Sequence, residues 1–154
     1  LLRRGVDLDK LVVPDIFDQL TVDQAMVKDV ITVTPMATLR DVQHLIKTSQ
    51  HKGFPVVSPM GQLLGMITST DLDQALDTGK KKNDKISDIY IKDVICCYPD
   101  ETLGTALKKL GQKAIGRIPV ISEKPSQQLV GLITRKNIIK AYNKHLVATD
   151  FSDI

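Results

Sequence analysis

The chain has no tryptophan and only 4% aromatic residues, so it offers no stacked aromatic platform for single-stranded nucleic acid. Its formal net charge of +3 is too small to mark a polyanion as partner. Two cysteines are present, Cys96 and Cys97, side by side. Sequence neighbours rarely bridge each other, and without further cysteines there is neither a disulfide framework nor a paired-cysteine metal knuckle. A reducing cytoplasmic setting fits this usage. No apolar run approaches the ~18 residues of a membrane span, and no signal peptide is visible. The chain begins at Leu1 rather than Met and reads as a segment of something longer. Its 42% hydrophobic content over 154 residues suffices for one good core, or for two small ones that lean on each other.

What is present is a repeat. Lys28-Asp29-Val30-Ile31 recurs as Lys92-Asp93-Val94-Ile95, 64 positions on. At the same offset Pro35, Thr38-Leu39 and Pro55-Val56 meet Pro99, Thr102-Leu103 and Pro119-Val120. Gly65-Met66-Ile67-Thr68 with Asp71 then matches Gly131-Leu132-Ile133-Thr134 with Asn137 at an offset of 66, which a two-residue insertion between Ser122 and Gln128 explains. A duplicated unit of about sixty residues is the organising fact.

Within the first copy, the β-branched run Val30 to Val33 ends at Pro35 and predicts a strand. Thr38 can cap a helix with Leu39, Val42, Leu45 and Ile46 on one face. Phe54 to Val57 and Leu63 to Ile67 flank the turn-rich Ser58-Pro59-Met60-Gly61 and read as a strand pair, followed by a helix with Leu72, Ala75 and Leu76 inward. The second copy repeats this order with Val94 to Cys97, a helix carrying Leu103, Ala106, Leu107 and Leu110, the strands Ile118 to Ile121 and Leu129 to Ile133, and a last helix with Ile138, Ile139 and Tyr142. Between the copies Asp77 to Lys85 has no apolar residue and reads as a solvated linker, in preference to a membrane-surface or nucleic-acid contact through Lys80 to Lys82.

The Gly-x-x-Thr-x-x-Asp element, Gly65 to Asp71, places hydroxyls beside free helix amides, which suits a phosphate. Its Gly lets a ligand or a neighbouring strand come close. Asp71 can accept both hydroxyls of a ribose. The same residues also make an ordinary helix N-cap, and taken alone they favour the cap. His44, His51 and His145 pair with no Cys or carboxylate at ligand spacing, and Cys96 and Cys97 read as buried structural thiols. No metal site and no catalytic group is assembled.

The doubled strand-helix-strand-strand-helix order, the Gly53-Phe54-Pro55-Val56-Val57 and Gly116-Arg117-Ile118-Pro119-Val120 segments and the closing Gly-x-Ile-Thr-x-x-Asp/Asn resemble a tandem pair of CBS domains, a Bateman module. The resemblance implies an α+β fold of two β-α-β-β-α repeats related by pseudo-two-fold symmetry, over residues 21–78 and 86–146, joined by a linker at 79–85 and flanked by segments 1–20 and 147–154. It implies a non-catalytic regulatory module with two clefts for an adenine nucleotide (ATP, ADP or AMP), no required cofactor, and a homodimer. Carried over residue by residue, cleft A would use Thr68, Thr70, Asp71, Val94, Ile95, Cys96, Arg117 and Pro119. In it Asp71 holds the ribose, Arg117 meets phosphate, and the Val94 to Cys96 backbone reads the adenine edge. Cleft B would use Ile31, Thr32, His51, Lys52, Pro55, Thr134, Lys136 and Asn137. Asn137 departs from the acidic pattern, which makes cleft B the weaker site unless Lys52, Arg135 and Lys136 compensate.

A second resemblance concerns the start. Leu1-Leu2-Arg3-Arg4-Gly5-Val6-Asp7-Leu8 is similar to the segment after the last membrane helix of CLC chloride channels and transporters, and Gly53 to Val57 is similar to that family's first CBS copy. This implies a cytoplasmic domain of an integral membrane protein, with the transmembrane channel or transporter region of the same chain as partner. The alternatives are a purely structural dimerisation domain that binds no ligand, or a regulatory CBS pair of another parent.

Overall fold

Threonine opens the helices of both copies, each time with a polar residue three positions on. In the computed structural model, which describes residues 16–112, 116–123 and 125–152, Thr21 and Gln24 cap α2 (Val22–Ala25), and Thr38 and Asp41 cap α3 (Leu39–Ser49). Thr68 and Asp71 do the same for α4 (Ser69–Asp77). Thr102 accepts from the Thr105 N–H at 3.1 Å at the start of α5 (Leu103–Gln112). Thr134 accepts from Asn137 N–H at 3.2 Å at the start of α6 (Arg135–Ser152). At α3, α4, α5 and α6 the threonine hydroxyl satisfies a helix N–H group that otherwise has no partner.

The chain forms two units. One comprises Asp29–Val94 with Ile121–Leu129, and the other the described parts of Leu1–Lys28, Ile95–Val120 and Val130–Ile154. In the α3–α4 unit, β1 (Gly53–Val57) and β2 (Leu63–Thr68) pair antiparallel, from Gly53 opposite Thr68 to Val57 opposite Leu63. Its core gathers Leu39, Val42, Phe54, Val56, Ile67, Leu72 and Ile86. In the α5–α6 unit, β3 (Arg117–Ile121) pairs with β4 (Leu129–Thr134). Its core holds Cys97, Leu103, Ala106, Leu110, Ile118, Val120, Ile133 and Ile138 together with Val22 and Phe17, the latter on α1 (Ile16–Gln19). The Phe17 ring meets Tyr142 edge-on at 5.2 Å. The α+β class and the strand-strand-helix core of each copy are as the sequence implies. Leu107 and Ile139 are less buried than the other apolar residues of their helices, Ile139 being 57% exposed.

The first strand of each copy differs from expectation. Val30 to Val33 reduces to a single parallel bridge, Val33 to Val56, and Val94 to Cys97 to the bridge between Cys97 and Val120. Prolines on both sides explain the truncation. Val33 N–H donates to Pro55 C=O at 3.0 Å and Val57 N–H to Val33 C=O at 2.8 Å. The next bonds along a parallel ladder would need an N–H from Pro55 upstream and from Pro35 downstream, and proline has none. Pro99 and Pro119 impose the same limit around Cys97.

Two segments outside the repeated elements close helix starts. Lys82 and Asp84 accept from the N–H groups of Arg40 and Leu39 at 2.9 and 3.0 Å, so the polar stretch after α4 closes the start of α3. Leu20 does the same for Leu103 N–H at 2.9 Å.

Candidate functional site

The strand-to-helix corners decide what the Gly-x-x-Thr-x-x-Asp element can do. Asp71 N–H donates to Thr68 Oγ1 at 3.2 Å, while Asp71 Oδ2 accepts from Thr68 N–H at 2.9 Å and from Thr68 Oγ1–H at 3.0 Å. The cap therefore uses one carboxylate oxygen. Oδ1 has no hydrogen-bond donor among the described residues. At the second corner Asn137 Oδ1 accepts from Thr134 N–H at 2.9 Å. An amide caps as well as a carboxylate because the box needs one acceptor, but what remains is then an NH2 donor. The two corners match as caps and differ in the chemistry they leave over.

The glycines of this motif serve the neighbouring chain. A Cβ on Gly65 would run into the carbonyl oxygen of Ile91, and on Gly131 it would stand 2.5 Å from Met26 Sδ and 2.9 Å from Val27 O. Of the two uses the sequence left open, close approach of a strand is the one observed.

The residues assigned to cleft A divide between the units. The α3–α4 unit holds Thr68 and Asp71, half-buried at the α4 N-terminus, with exposed Thr70 beside them and Val94 half-buried. The α5–α6 unit holds half-buried Ile95, Cys96 and Arg117 and buried Pro119. Arg117 lies at the start of β3, and its guanidinium has neither a hydrogen-bond nor an ion-pair partner among the described residues. Burial lowers its pKa below the ordinary arginine value. For cleft B, the α3–α4 unit holds exposed Ile31, Thr32, His51 and Lys52 with buried Pro55, and Lys52 C=O accepts from Ser69 N–H at 2.8 Å. In the α5–α6 unit Thr134 and Asn137 are half-buried and Lys136 is exposed.

A network invisible to motif reading lies beside Cys96. Lys109 Nζ donates to Cys96 C=O at 2.8 Å and lies 3.1 Å from both oxygens of Glu101, which in turn accepts from Tyr98 N–H at 2.7 Å. The side chains of Lys109 and Glu101 are only 27% and 22% exposed, against 66% and 52% for Lys28 and Asp23, so screening weakens the former pair less. The signal that could have found it is the divergence of the two copies. Ala37 and Leu45 stand 64 positions before Glu101 and Lys109, an apolar pair exchanged for opposite charges. Neither cysteine is in a disulfide. Burial, partly opposed by Lys109, pushes Cys97 up to about 11 and raises Cys96 as well, which makes neither a ready nucleophile. A groove of ≈ 470 Å³ on the α3–α4 unit, lined by Arg40, His44, Lys47, Leu72 and Lys82 among others, contains none of the residues assigned to either cleft. Among the described residues no cluster of three His, Cys, Asp or Glu could hold a metal.

A CBS domain family model matches residues 22–78 and again 86–144. The inosine-5'-monophosphate dehydrogenase of Methanocaldococcus jannaschii is 32% identical over 118 residues, covering 77% of this chain and 23% of the dehydrogenase. The chain spans less than half the length of the curated relatives it matches, with shares of 36% and 43% for two further proteins of that organism. Among solved structures, a protein named for acetoin utilization (AcuB) from Vibrio cholerae superimposes with a TM-score of 0.76 at 23% identity, covering 85% of this chain and 96% of AcuB. CBSX2 in complex with AMP gives 0.71 at 22% identity, covering 81% and 97%. The CBS domain pair of protein MJ0100, in complex with 5'-methylthioadenosine and S-adenosyl-L-methionine, gives 0.68 at 23% identity, also covering 81% and 97%.

These findings correct one expectation. The chain was expected to be the cytoplasmic domain of an integral membrane protein of the CLC type. Its similarity runs instead to a dehydrogenase and to AcuB, which it matches nearly end to end, and among the described residues no helix is long and apolar enough to cross a membrane. The eight residues that carried the chloride-channel likeness lie outside the described residues, and Gly53 to Val57 is accounted for as the buried strand β1.

Proposed function

This chain belongs to the CBS domain family, and from that premise we propose that it is a non-catalytic regulatory module that binds an adenine nucleotide. Arg117 carries the proposal. A half-buried guanidinium with no acceptor among the described residues loses hydration without a partner to replace it, and a phosphate supplies the charge and the paired oxygens that its fork fits. Asp71, in the α3–α4 unit, is assigned the ribose: Oδ1, left over by the cap, accepts from a ribose hydroxyl. Thr68 and Thr70 stand beside it, and the Val94 to Cys96 backbone meets the adenine edge. The crystallised CBS pairs with AMP and with S-adenosyl-L-methionine support an adenosine-containing ligand. The residues assigned to cleft B form the weaker site, since Asn137 offers a donor where Asp71 offers charge.

Calorimetric titration with ATP, ADP, AMP and adenosine tests this. Submillimolar binding of at least one phosphorylated ligand is expected. Arg117→Ala should weaken ATP more than adenosine, and equal losses for both remove Arg117 as the phosphate contact. The alternative, an assembly domain that binds nothing, is favoured by one observation: the capping boxes already give Thr68 and Asp71 a structural use. Its signature is the absence of any ligand-induced rise in melting temperature at millimolar nucleotide.

A further inference from the structure

The groove on the α3–α4 unit has no part in the nucleotide reading. It measures ≈ 470 Å³, within the usual range of small-molecule sites, about 300 to 1,000 Å³. Arg40, His44 and Lys47 stand along one wall at positions i, i+4 and i+7 of α3, so the ends of that wall are about 10 Å apart. Lys82 joins Arg40 at one end. Its C=O takes the Arg40 N–H at 2.9 Å, and the turn that carries it is closed by Lys81 N–H to Asp84 Oδ2 at 2.7 Å and by Asp84 N–H to Lys81 C=O at 2.9 Å. These four basic side chains are exposed, over an apolar floor of half-buried Ile46 and buried Leu72. Among the described residues Asp73 is the only acid of the lining, and neither it nor Arg40, Lys47 or Lys82 forms an ion pair.

The repeat shows that the helix pair does not need these charges. In the other copy the floor is kept, with Leu110 in the place of Ile46 and Ile138 in the place of Leu72. His44 has a basic counterpart, Lys108, but Arg40, Lys47 and Asp73 become Gly104, Gly111 and Ile139. The end charges therefore belong to this groove and not to the fold. We propose that the groove is a second ligand site, for an elongated organic dianion that is acidic at both ends and apolar between. Arg40 and Lys82 take one acidic group, Lys47 takes the other, and Ile46 and Leu72 meet the middle. Three cations against one carboxylate leave the walls positive, which favours an anion and opposes a cation. The site is independent of nucleotide binding, since it shares no residue with either cleft.

Octanedioate, with a carboxylate at each end of a methylene chain, is the probe. It is titrated into the nitrogen-15-labelled full chain without nucleotide and at constant ionic strength, with octanoate and inorganic phosphate as single-ended comparisons. Amide shifts on α3, at the start of α4 and at Lys82 should saturate at millimolar probe, and octanedioate should bind more tightly than either comparison. Arg40→Gln and Lys47→Gln should each weaken it about two- to fivefold, the yield of one exposed ion pair. Asp73→Asn removes the opposing charge and should tighten it, a result that loss of fold stability does not produce. Lys80→Gln changes the net charge equally but lies outside the lining, and it should leave the affinity unchanged. Octanoate or phosphate matching octanedioate, Lys80→Gln weakening it as much as Lys47→Gln does, or shifts that never saturate would each mean unspecific attraction and overturn the proposal.

Discussion

Met66 and Ile91 exchange two backbone hydrogen bonds, Met66 N–H to Ile91 C=O at 2.9 Å and Ile91 N–H to Met66 C=O at 2.8 Å. Val27 and Leu132 repeat the exchange at 2.8 and 2.9 Å. Ile91 and Val27 each immediately precede a Lys-Asp-Val-Ile segment, so the residues leading into one repeat complete the sheet of the other. The same swap governs the helix starts, where Asp84 closes α3 and Leu20 closes α5. The sequence repeat, 21–78, and the continuous part of the folding unit, 29–94, are therefore out of phase, by 8 residues at the start and 16 at the end.

A fragment cut to the continuous part of the folding unit should outperform one cut to the repeat. Residues 29–94 keep Lys82, Asp84, Ile86 and Ile91 on the sheet and helix they serve, whereas residues 21–78 lose all four. The shorter cut leaves Met66 N–H and C=O and the first N–H groups of α3 without partners, at about 1 to 3 kcal/mol for each that stays buried. Circular dichroism melts should show a cooperative transition for 29–94 and a broad one for 21–78. Equal cooperativity would mean the swapped segment contributes little.

The two motif glycines should respond unequally to alanine. At Gly65 the new methyl meets the Tyr90 ring and the Ile91 backbone, and the latter cannot move without breaking the Met66 bonds. At Gly131 the nearest atoms belong to the flexible end of Met26, and the backbone oxygen that the methyl meets, Val27 O, stands farther off at 2.9 Å than Ile91 O does at Gly65. Overpacking costs about 1 to 3 kcal/mol, and Gly65→Ala belongs at the upper end and Gly131→Ala at the lower. Urea midpoints at constant m-value give the comparison, and a larger loss at Gly131 contradicts it.

Alkaline stability should follow Cys97. Its thiol is raised to about 11 in the folded chain from the ordinary 9.0, so between these values the unfolded state gives up its proton first. The contribution is fully present below about pH 9 and is lost as pH rises toward 11. Cys97→Ala should flatten the fall in denaturation free energy over that window, whatever it costs at neutral pH. An unchanged slope would assign the alkaline loss to other groups.

Much of this architecture is legible in the repeat. Thr38, Thr68, Thr102 and Thr134 announce helix starts, and the 3.6-residue spacing of Leu39 and Val42 marks the face that is buried. Pro35 marks a strand end in the sequence, and Pro35 with Pro55 and Pro99 with Pro119 also forbid the bonds that would lengthen the first strand. The swap could not be read, because backbone pairing at Val27 and Ile91 leaves both side chains exposed and so produces no apolar pattern. At the candidate site, Asp71 stood out by residue type. Lys109 did not, since a lysine on an amphipathic helix is ordinary until its mate Glu101 and the Cys96 carbonyl are seen within reach.

The corner at Asp71 admits a test that separates the structural use of this residue from its proposed role in binding. Asp71→Asn keeps an acceptor oxygen for Thr68, as Asn137 shows at the other corner with its 2.9 Å bond from Thr134 N–H, so the cap survives. Asp71→Ala loses it and should cost about 1 kcal/mol of stability, the usual value of such a cap. For a nucleotide the two variants are alike, because each removes the leftover charged acceptor. A hydrogen bond to a charged group is worth about 1.5 to 3 kcal/mol, and each 1.4 kcal/mol is a factor of ten. Both variants should therefore weaken AMP binding about ten- to a hundred-fold, while only Asp71→Ala lowers the melting temperature. Binding that falls in Asp71→Ala alone, in step with stability, makes the aspartate a helix cap and nothing more.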